Sequence, residues 1–308
     1  IGILSVYVAV SHDYPQMVWS FLGQQLAWIG MGCVVCLIVT IFSTKFLWKI
    51  TPFLYLLGLI LMVLPLIFYN PNLVASTGAK NWVAYGNITL FQPSEFMKIP
   101  FILMLSHSIV RFLQRNKGRE RWLRQDWLLI IELTIYTIPV FALLALQQDL
   151  GTALVFLAIF AGLVLISGVS WKIILPVVLF IVGGLAGFLF LFLSEGGRAF
   201  LHQQLRMPTY QINRILAWLN PFDYAQTTTY QQAQGQLAIA SGGVSGQGFN
   251  VSNLLVPVRE SDMIFTVIAE DFGFVGSLVL LILYVFLIYR ILKITLQSNN
   301  QFYTYISI

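Results

Sequence analysis

Apolar residues fill this chain in runs of about twenty, the length that carries a helix across ~30 Å of hydrocarbon. Spans are predicted at Leu26–Ser43, Ile50–Tyr69, Phe96–Phe112, Trp127–Leu146, Thr152–Gly168, Trp171–Leu193 and Met263–Leu292. Two incomplete apolar runs flank them, Ile1–Val10 and Phe302–Ile308, so the sequence reads as a fragment cut inside a span at either end. The alternation of an outer-membrane barrel is missing, and helices are the remaining way to satisfy backbone polar groups in lipid. The expectation is an all-α, polytopic transmembrane helical bundle of about seven full spans plus two truncated ones, forming a single integral membrane domain over residues 1–308. The longest polar interruption, Ser194–Asp262, forms a large loop before the span starting at Met263.

Composition supports this pattern: 58% of residues are hydrophobic and 9% charged, which excludes a water-soluble domain of this length. Orientation follows from the tendency of Lys and Arg to collect in short cytoplasmic loops. One set of alternate connections holds Lys45, Lys49, Arg111, Arg115, Lys117, Arg119, Arg121, Arg124, Lys172, Arg290 and Lys293. The opposite set holds only Lys80, Arg198, Arg206, Arg214 and Arg259. The first set is therefore cytoplasmic, and Ser11–Gln25, Asn70–Gln92, Gln147–Leu150 and Ser194–Asp262 lie outside. The net charge of +5 is explained by this asymmetry and by contact with anionic lipid, without a nucleic-acid partner.

Ionisable groups inside apolar runs are expensive and mark bundle interiors or wet cavities. Glu95 and Lys98, one turn apart after Pro93-Ser94, can pair along a helix face, as an interfacial anchor or as a cavity wall. Asp149, in Gln147-Gln148-Asp149-Leu150-Gly151-Thr152, reads as a helix cap. Glu132 reaches the interface from the cytoplasmic end of its span. The adjacent acids Glu270 and Asp271, two turns below Asp262, face protein or water. Asp262 itself is either a helix cap shared with Ser261 or a carboxylate placed at the membrane–water boundary beside a lipid-linked headgroup.

The loop before it combines cations (Arg198, Arg206, Arg214), flat faces (Tyr210, Trp218, Tyr224, Tyr230) and amides (Gln231, Gln232, Gln234, Gln236). That mixture suits phosphate and sugar rings, although an interfacial aromatic belt has the same ingredients. The stretch Tyr230–Ala240 is predicted as an amphipathic helix lying on the membrane surface. Gly242, Gly243, Gly246 and Gly248 lack the strand and the Lys-Ser/Thr ending of a phosphate loop, and read as a flexible hinge. Cys33 and Cys36 read as small apolar filler. His12, His107 and His202 show no metal-ligand spacing, so no protein-built metal site is expected.

The polar islands resemble the signature stretches of the SEDS family (shape, elongation, division, sporulation), the RodA branch more closely than the FtsW branch. They are Gly78-Ala79-Lys80-Asn81-Trp82 with Phe91-Gln92-Pro93-Ser94-Glu95 and Lys98; Gln147-Gln148-Asp149-Leu150-Gly151-Thr152-Ala153; Tyr210-Gln211, Arg214, Trp218-Leu219-Asn220-Pro221, Asp223 and Tyr230-Gln231; and Ser241-Gly242-Gly243 through Asp262-Met263-Ile264-Phe265 to Ala269-Glu270-Asp271-Phe272-Gly273. The chain departs from the family at Asn81, where Arg is frequent, at Gln148, where Pro is frequent, and at Glu260-Ser261, where His-Thr is frequent. The family's late Gly/Ser-rich stretch is absent from this sequence.

The resemblance implies ten spans in the whole protein and a multi-pass protein of the bacterial cytoplasmic membrane with its active face outside. It implies a peptidoglycan glycosyltransferase that polymerises lipid II by inverting transfer during cell-wall elongation, with Asp262 as general base. It places Lys80, Trp82, Glu95, Lys98, Asp149, Arg214, Tyr230, Gln231 and Glu270 as substrate-binding or cavity residues. Lys80, Lys98 or Arg214 would meet the pyrophosphate, and a divalent cation, Mg or Mn, is compatible with that work although no cofactor is required by the sequence. The implied partners are a class B penicillin-binding protein that crosslinks the glycan and other membrane proteins of the elongation complex. A flippase or transporter of the lipid-linked precursor is the alternative, and a non-catalytic scaffold for wall-synthesis enzymes a third reading.

Overall fold

The computed structural model of the chain describes residues 2–86, 88–117, 123–194, 196–198, 200, 215–217, 219–226, 229–249, 251, 254–298 and 300–307. Its helices in chain order begin with α1 (Gly2–Asp13), α2 (Val18–Ile41), α3 (Thr44–Ile67) and α4 (Pro71–Thr77). A two-stranded antiparallel hairpin, β1 (Val83–Tyr85) and β2 (Ile88–Phe91), precedes α5 (Pro93–Arg115). Then follow α6 (Leu123–Gln147), α7 (Leu150–Ile166), α8 (Trp171–Leu193), α9 (Tyr230–Ser241), α10 (Ile264–Leu296) and α11 (Gln301–Ser307). Among the described residues, α2, α3, α5, α6, α8 and α10 are long and apolar enough to cross a membrane. The protein is therefore a mostly helical, multi-pass membrane protein. The remaining predicted span is α7, whose 17 residues reach about 25 Å at 1.5 Å per residue.

The hairpin was not expected, although the sequence carries its signal. Tyr85 pairs with Ile88 across the hairpin, and Gly86, which follows β1 directly, takes the left-handed φ of 60° that a tight hairpin turn favours. Helix ends follow local chemistry. Pro71 and Pro93 start α4 and α5 at the position where a missing N–H costs nothing, and Gly78, at φ 77°, ends α4. Most of α2 is exposed, Cys33 and Cys36 included, so these cysteines sit on an outward apolar face rather than filling a core.

The chain divides into two compact units, residues 1–41 with 182–289, and residues 42–181 with 290–308. In the second, α5 is the central helix. Met97, Phe101, Leu105 and Ile109 are fully buried against Tyr55 and Met62 of α3, Leu129, Leu133 and Val140 of α6, and Phe156 of α7. The contact with α3 is close because Gly58 has no side chain: a Cβ there would lie 2.3 Å from Met97 Sδ. Close packing of so many large side chains on one helix, which in lipid works through dispersion contacts rather than removal from water, fixes the frame on which the hairpin and the α6–α7 junction sit.

In the first unit, Val6 and Val10 of α1 pack with Val18 of α2, while Val8 and Ala9 meet Val267 of α10. Helix α9 lays a face of small buried residues, Ala233, Gly235 and Ala238, on the start of α10; a Cβ on Gly235 would lie 2.2 Å from Met263 Cε. That face packs on protein, while Leu237 and Ile239 are exposed on the same helix. Within α10 the helical path is broken at Gly273, at φ 63° and ψ −159°. The residues of the glycine-rich stretch bind at this break.

Candidate functional site

Asp262 sits on a tight turn that ends at the first residue of α10. The Val258 carbonyl accepts the N–H groups of both Ser261 and Met263, at 3.3 Å each, and Ile264 N–H donates to Ser261 O at 3.3 Å. The side chain of Asp262 is exposed. Among the described residues, no hydrogen bond or ion pair engages its carboxylate. A capping role would consume that oxygen on a backbone N–H. Here it is open to a ligand.

The backbone beneath this carboxylate is held from several directions. Gln231 Nε2 of α9 donates to Pro257 O at 3.2 Å. Val258 adopts a left-handed φ of 57°, a strained conformation for a β-branched residue. Arg259 donates through Nη2 to Glu270 Oε2 of α10, with both side chains buried. Glu270 is therefore no wall of an open cavity. Its 1% exposure leaves no approach for a substrate, and its carboxylate serves a neighbouring cation.

The glycine-rich segment braces α10 at the level of Glu270. Gln247 N–H donates to Glu270 O at 2.9 Å and Gly248 N–H to Asp271 O at 3.1 Å. In the opposite direction, Phe274 N–H donates to Gly243 O at 2.9 Å and Val275 N–H to Val244 O at 3.2 Å. Peptide groups left over by the break at Gly273 thus find partners in the segment instead of water. Glycine is required by proximity: a Cβ on Gly242 would lie 2.0 Å from Ala269 O, and one on Gly246 2.1 Å from Asp271 O. The hinge expected from these glycines is instead a packed brace, because residues without side chains let two backbones touch.

The second polar cluster lies in the other unit, around Asp149 at the start of α7. Its Oδ1 accepts Thr152 N–H at 3.0 Å, closing the helix cap expected from the sequence. Its Oδ2 accepts Asn81 Nδ2 at 2.8 Å, Thr152 Oγ1 at 2.8 Å and Gln92 Nε2 at 3.2 Å. Gln147 Nε2 donates to Met62 O at 2.6 Å, and Lys80 N–H to Gln147 O at 2.8 Å. With 8% exposure and both oxygens engaged, Asp149 is a hub that ties the outer hairpin region to the α6–α7 junction, not a group lining an open cavity.

The cations near this hub are already in use. Lys80 Nζ stands 4.5 Å from the centroid of the Tyr69 ring, and Lys98 Nζ pairs with Glu95 at 2.7 and 2.8 Å. Glu95 is 56% exposed, so this pair sits at a wet surface. Trp82, two positions after Lys80, is 38% exposed, and Tyr230 37% exposed at the start of α9. Arg214 lies outside the described residues, as do Arg206, Tyr210 and Trp218. Among the described residues, no group of three His, Cys, Asp or Glu side chains forms a metal-holding set.

Two residues escaped the reading of the sequence. Arg259 was counted among the outer cations without its partner, because eleven positions across a turn leave no helical periodicity to read. Asp126, 2% exposed, accepts Ser170 N–H at 2.9 Å and so caps α8 from the start of α6. Glu132 is partly exposed, accepts Ser108 Oγ at 2.8 Å and pairs at 3.0 Å with the exposed Arg115 at the end of α5.

Comparison with known proteins places these features. The family described as cell cycle protein, FtsW/RodA/SpoVE, matches residues 1–308. Peptidoglycan glycosyltransferase MrdB of Escherichia coli K12 is 31% identical over 299 residues, covering 93% of this chain and 73% of that protein. Stage V sporulation protein E of Bacillus subtilis is 27% identical over 318 residues, covering 100% of this chain and 79% of that protein. A solved structure describing the coordination of polymerization and crosslinking by a peptidoglycan synthase complex has the same fold, with a TM-score of 0.71 and 24% identity over 99% of this chain and 78% of that one. The rod shape determining protein RodA of Thermus thermophilus matches with a TM-score of 0.59 and 23% identity, over 99% of this chain and 77% of that one.

Proposed function

The chain belongs to the FtsW/RodA/SpoVE family of cell cycle proteins, and from that premise we propose that it extends glycan strands by polymerising lipid II with Asp262 as the general base. It is a peptidoglycan glycosyltransferase of cell wall synthesis, the activity named for its relatives. Those names select the enzyme over the transporter and scaffold readings.

In the proposed step, the 4-hydroxyl of the acceptor sugar attacks the anomeric carbon of the donor. The Asp262 carboxylate takes the hydroxyl proton, a glycosidic C–O bond forms, and the bond to polyprenyl pyrophosphate breaks with inversion. A positioned base of this kind contributes 10²–10⁴-fold, about 3–5 kcal/mol of barrier. Holding two lipid-anchored substrates in register supplies much of the remainder. The observation that carries the assignment is a carboxylate that is exposed and unengaged although the turn beneath it is fixed by Gln231 and by a buried ion pair.

The reaction belongs on the outer face, since the excess of Lys and Arg lies on the opposite set of connections. Arg214, whose planar fork suits phosphate, is the cation of the same loop proposed for the leaving group. A Mg or Mn ion held by the substrate pyrophosphate and one or two carboxylates would need no preformed group of three ligands, and it is compatible with the proposed step. A crosslinking penicillin-binding protein is the proposed partner, by extension from the fold shared with a peptidoglycan synthase complex. The test is polymer formation from purified lipid II by the detergent-solubilised protein and its crosslinking partner, for wild type and Asp262→Asn. Polymer from the wild type alone supports the assignment, and equal polymer from both removes it.

A further inference from the structure

The Arg259–Glu270 pair is expensive for what it does locally. Arg259 is 2% exposed and Glu270 1%, so both charges have left water. Arg259 Nε and Nη1 have no hydrogen-bond partner among the described residues, where the guanidinium with its five donors meets one acceptor, Glu270 Oε2. A buried pair of this quality adds little to stability compared with an apolar pair of similar volume. The preceding residue, Val258, is held at a left-handed φ of 57°. Costly features on adjacent residues, three and four positions before an exposed carboxylate, are the pattern expected where the fold fixes a functional group.

We infer that the buried Arg259–Glu270 pair is a positioning device for the Asp262 carboxylate, locking the 257–262 turn to α10. Glu270 can serve as an anchor because its own backbone is clamped. Its carbonyl accepts Gln247 N–H at 2.9 Å, and Gly242 packs so closely that a Cβ there would lie 3.0 Å from Glu270 Cα. The brace holds α10, Glu270 holds Arg259, and Arg259 holds the turn. Gln231 fixes its other end at Pro257. The guanidinium is needed for direction as well as charge, since its rigid fork fixes orientation where an ammonium would swivel. Arg259 and Glu270 are positioning residues and touch no reacting atom.

The inference rests on Asp262 as the base, so its test includes a measurement independent of chemistry. Ser261 is exposed beside Asp262, and a Ser261→Cys reporter in a Cys33→Ser/Cys36→Ser background reads the mobility of the turn by its rate of maleimide labelling. The full-length protein in detergent is compared with Arg259→Lys and with the double variant Arg259→Met/Glu270→Met, which replaces the pair by apolar volume. The double variant is expected to melt no lower than the parent, to label at least about 3-fold faster, and to polymerise lipid II with kcat about 10–100-fold lower and KM within about 3-fold. Arg259→Lys is expected to fold and to fall between the two, and it decides the matter if the double variant does not fold. Unchanged labelling in a folded variant overturns the clamp whatever the activity. Faster labelling with unchanged kcat overturns the positioning role. Wild-type activity in Asp262→Asn would remove the base assignment alone, leaving the labelling result to judge the clamp.

Discussion

Asn81 Nδ2 donates to Asp149 Oδ2 at 2.8 Å, joining the segment before the outer hairpin to the start of α7 across 68 positions of sequence. Asn81 thus brings an uncharged amide donor to a carboxyl group that belongs to a different part of the sequence. Gln92 and Thr152 complete the set. The hub determines where the hairpin sits.

Removing the hub carboxylate should cost far more than removing one of its donors. Asp149→Ala loses a helix cap, worth about 0.5–2 kcal/mol, and strands the amides of Asn81 and Gln92 with one acceptor fewer, about 1–3 kcal/mol. Asn81→Ala loses one bond, about 1 kcal/mol. Thermal unfolding in detergent should place Asp149→Ala well below Asn81→Ala. Equal melting of the two would dismiss the hub.

Gln148→Pro should destabilise the chain. Gln148 stands at φ 59°, a region the proline ring forbids, and its N–H donates to Ala145 O at 3.1 Å. A loss of about 3 kcal/mol is expected by denaturant or thermal unfolding, with a local rearrangement at the α6–α7 junction. A variant as stable as the parent would show that this turn is not built on a left-handed residue.

Gly246→Ala and Gly184→Ala differ only in surroundings. Gly246, at φ 84°, would place a methyl group 2.1 Å from Asp271 O, whereas nothing lies within 4 Å of a Cβ at Gly184 in α8. The first should lose about 2–5 kcal/mol, because backbone on both sides must move. The second should be neutral or up to about 1 kcal/mol more stable. Comparable melting of the two variants would contradict a packed brace.

The helical spans were legible in the sequence because lipid imposes a length and composition that few other structures share. Boundaries were less so: α2 begins at Val18, eight residues before the predicted Leu26, since the mixed stretch containing Gln24 and Gln25 breaks the apolar run without breaking the helix. Asp149 was legible as a cap because its neighbours in sequence are its partners, yet Asn81 and Gln92 were not, being brought to it by tertiary packing. The brace of Gly242–Gly248 on Glu270–Val275 was invisible for a related reason. Glycines announce permissive backbone, and only the fold shows what occupies the space they leave.

Orientation gives a fourth prediction. In a background without Cys33 and Cys36, a Ser261→Cys protein should react with a membrane-impermeant maleimide in intact spheroplasts. Lys172→Cys, on the side rich in Lys and Arg, should react only after permeabilisation. The reverse pattern would place Asp262 on the cytoplasmic side and exclude it from an outward-facing reaction.

The most direct measurement is the rate of glycan polymer formation from lipid II by purified wild type and Asp262→Asn, with folding checked by melting temperature. Because Asp262 is exposed and engages no described partner, the variant should melt as the parent does while its rate falls about 10²-fold or more. A folded Asp262→Asn protein that elongates glycan at the parental rate would contradict the account.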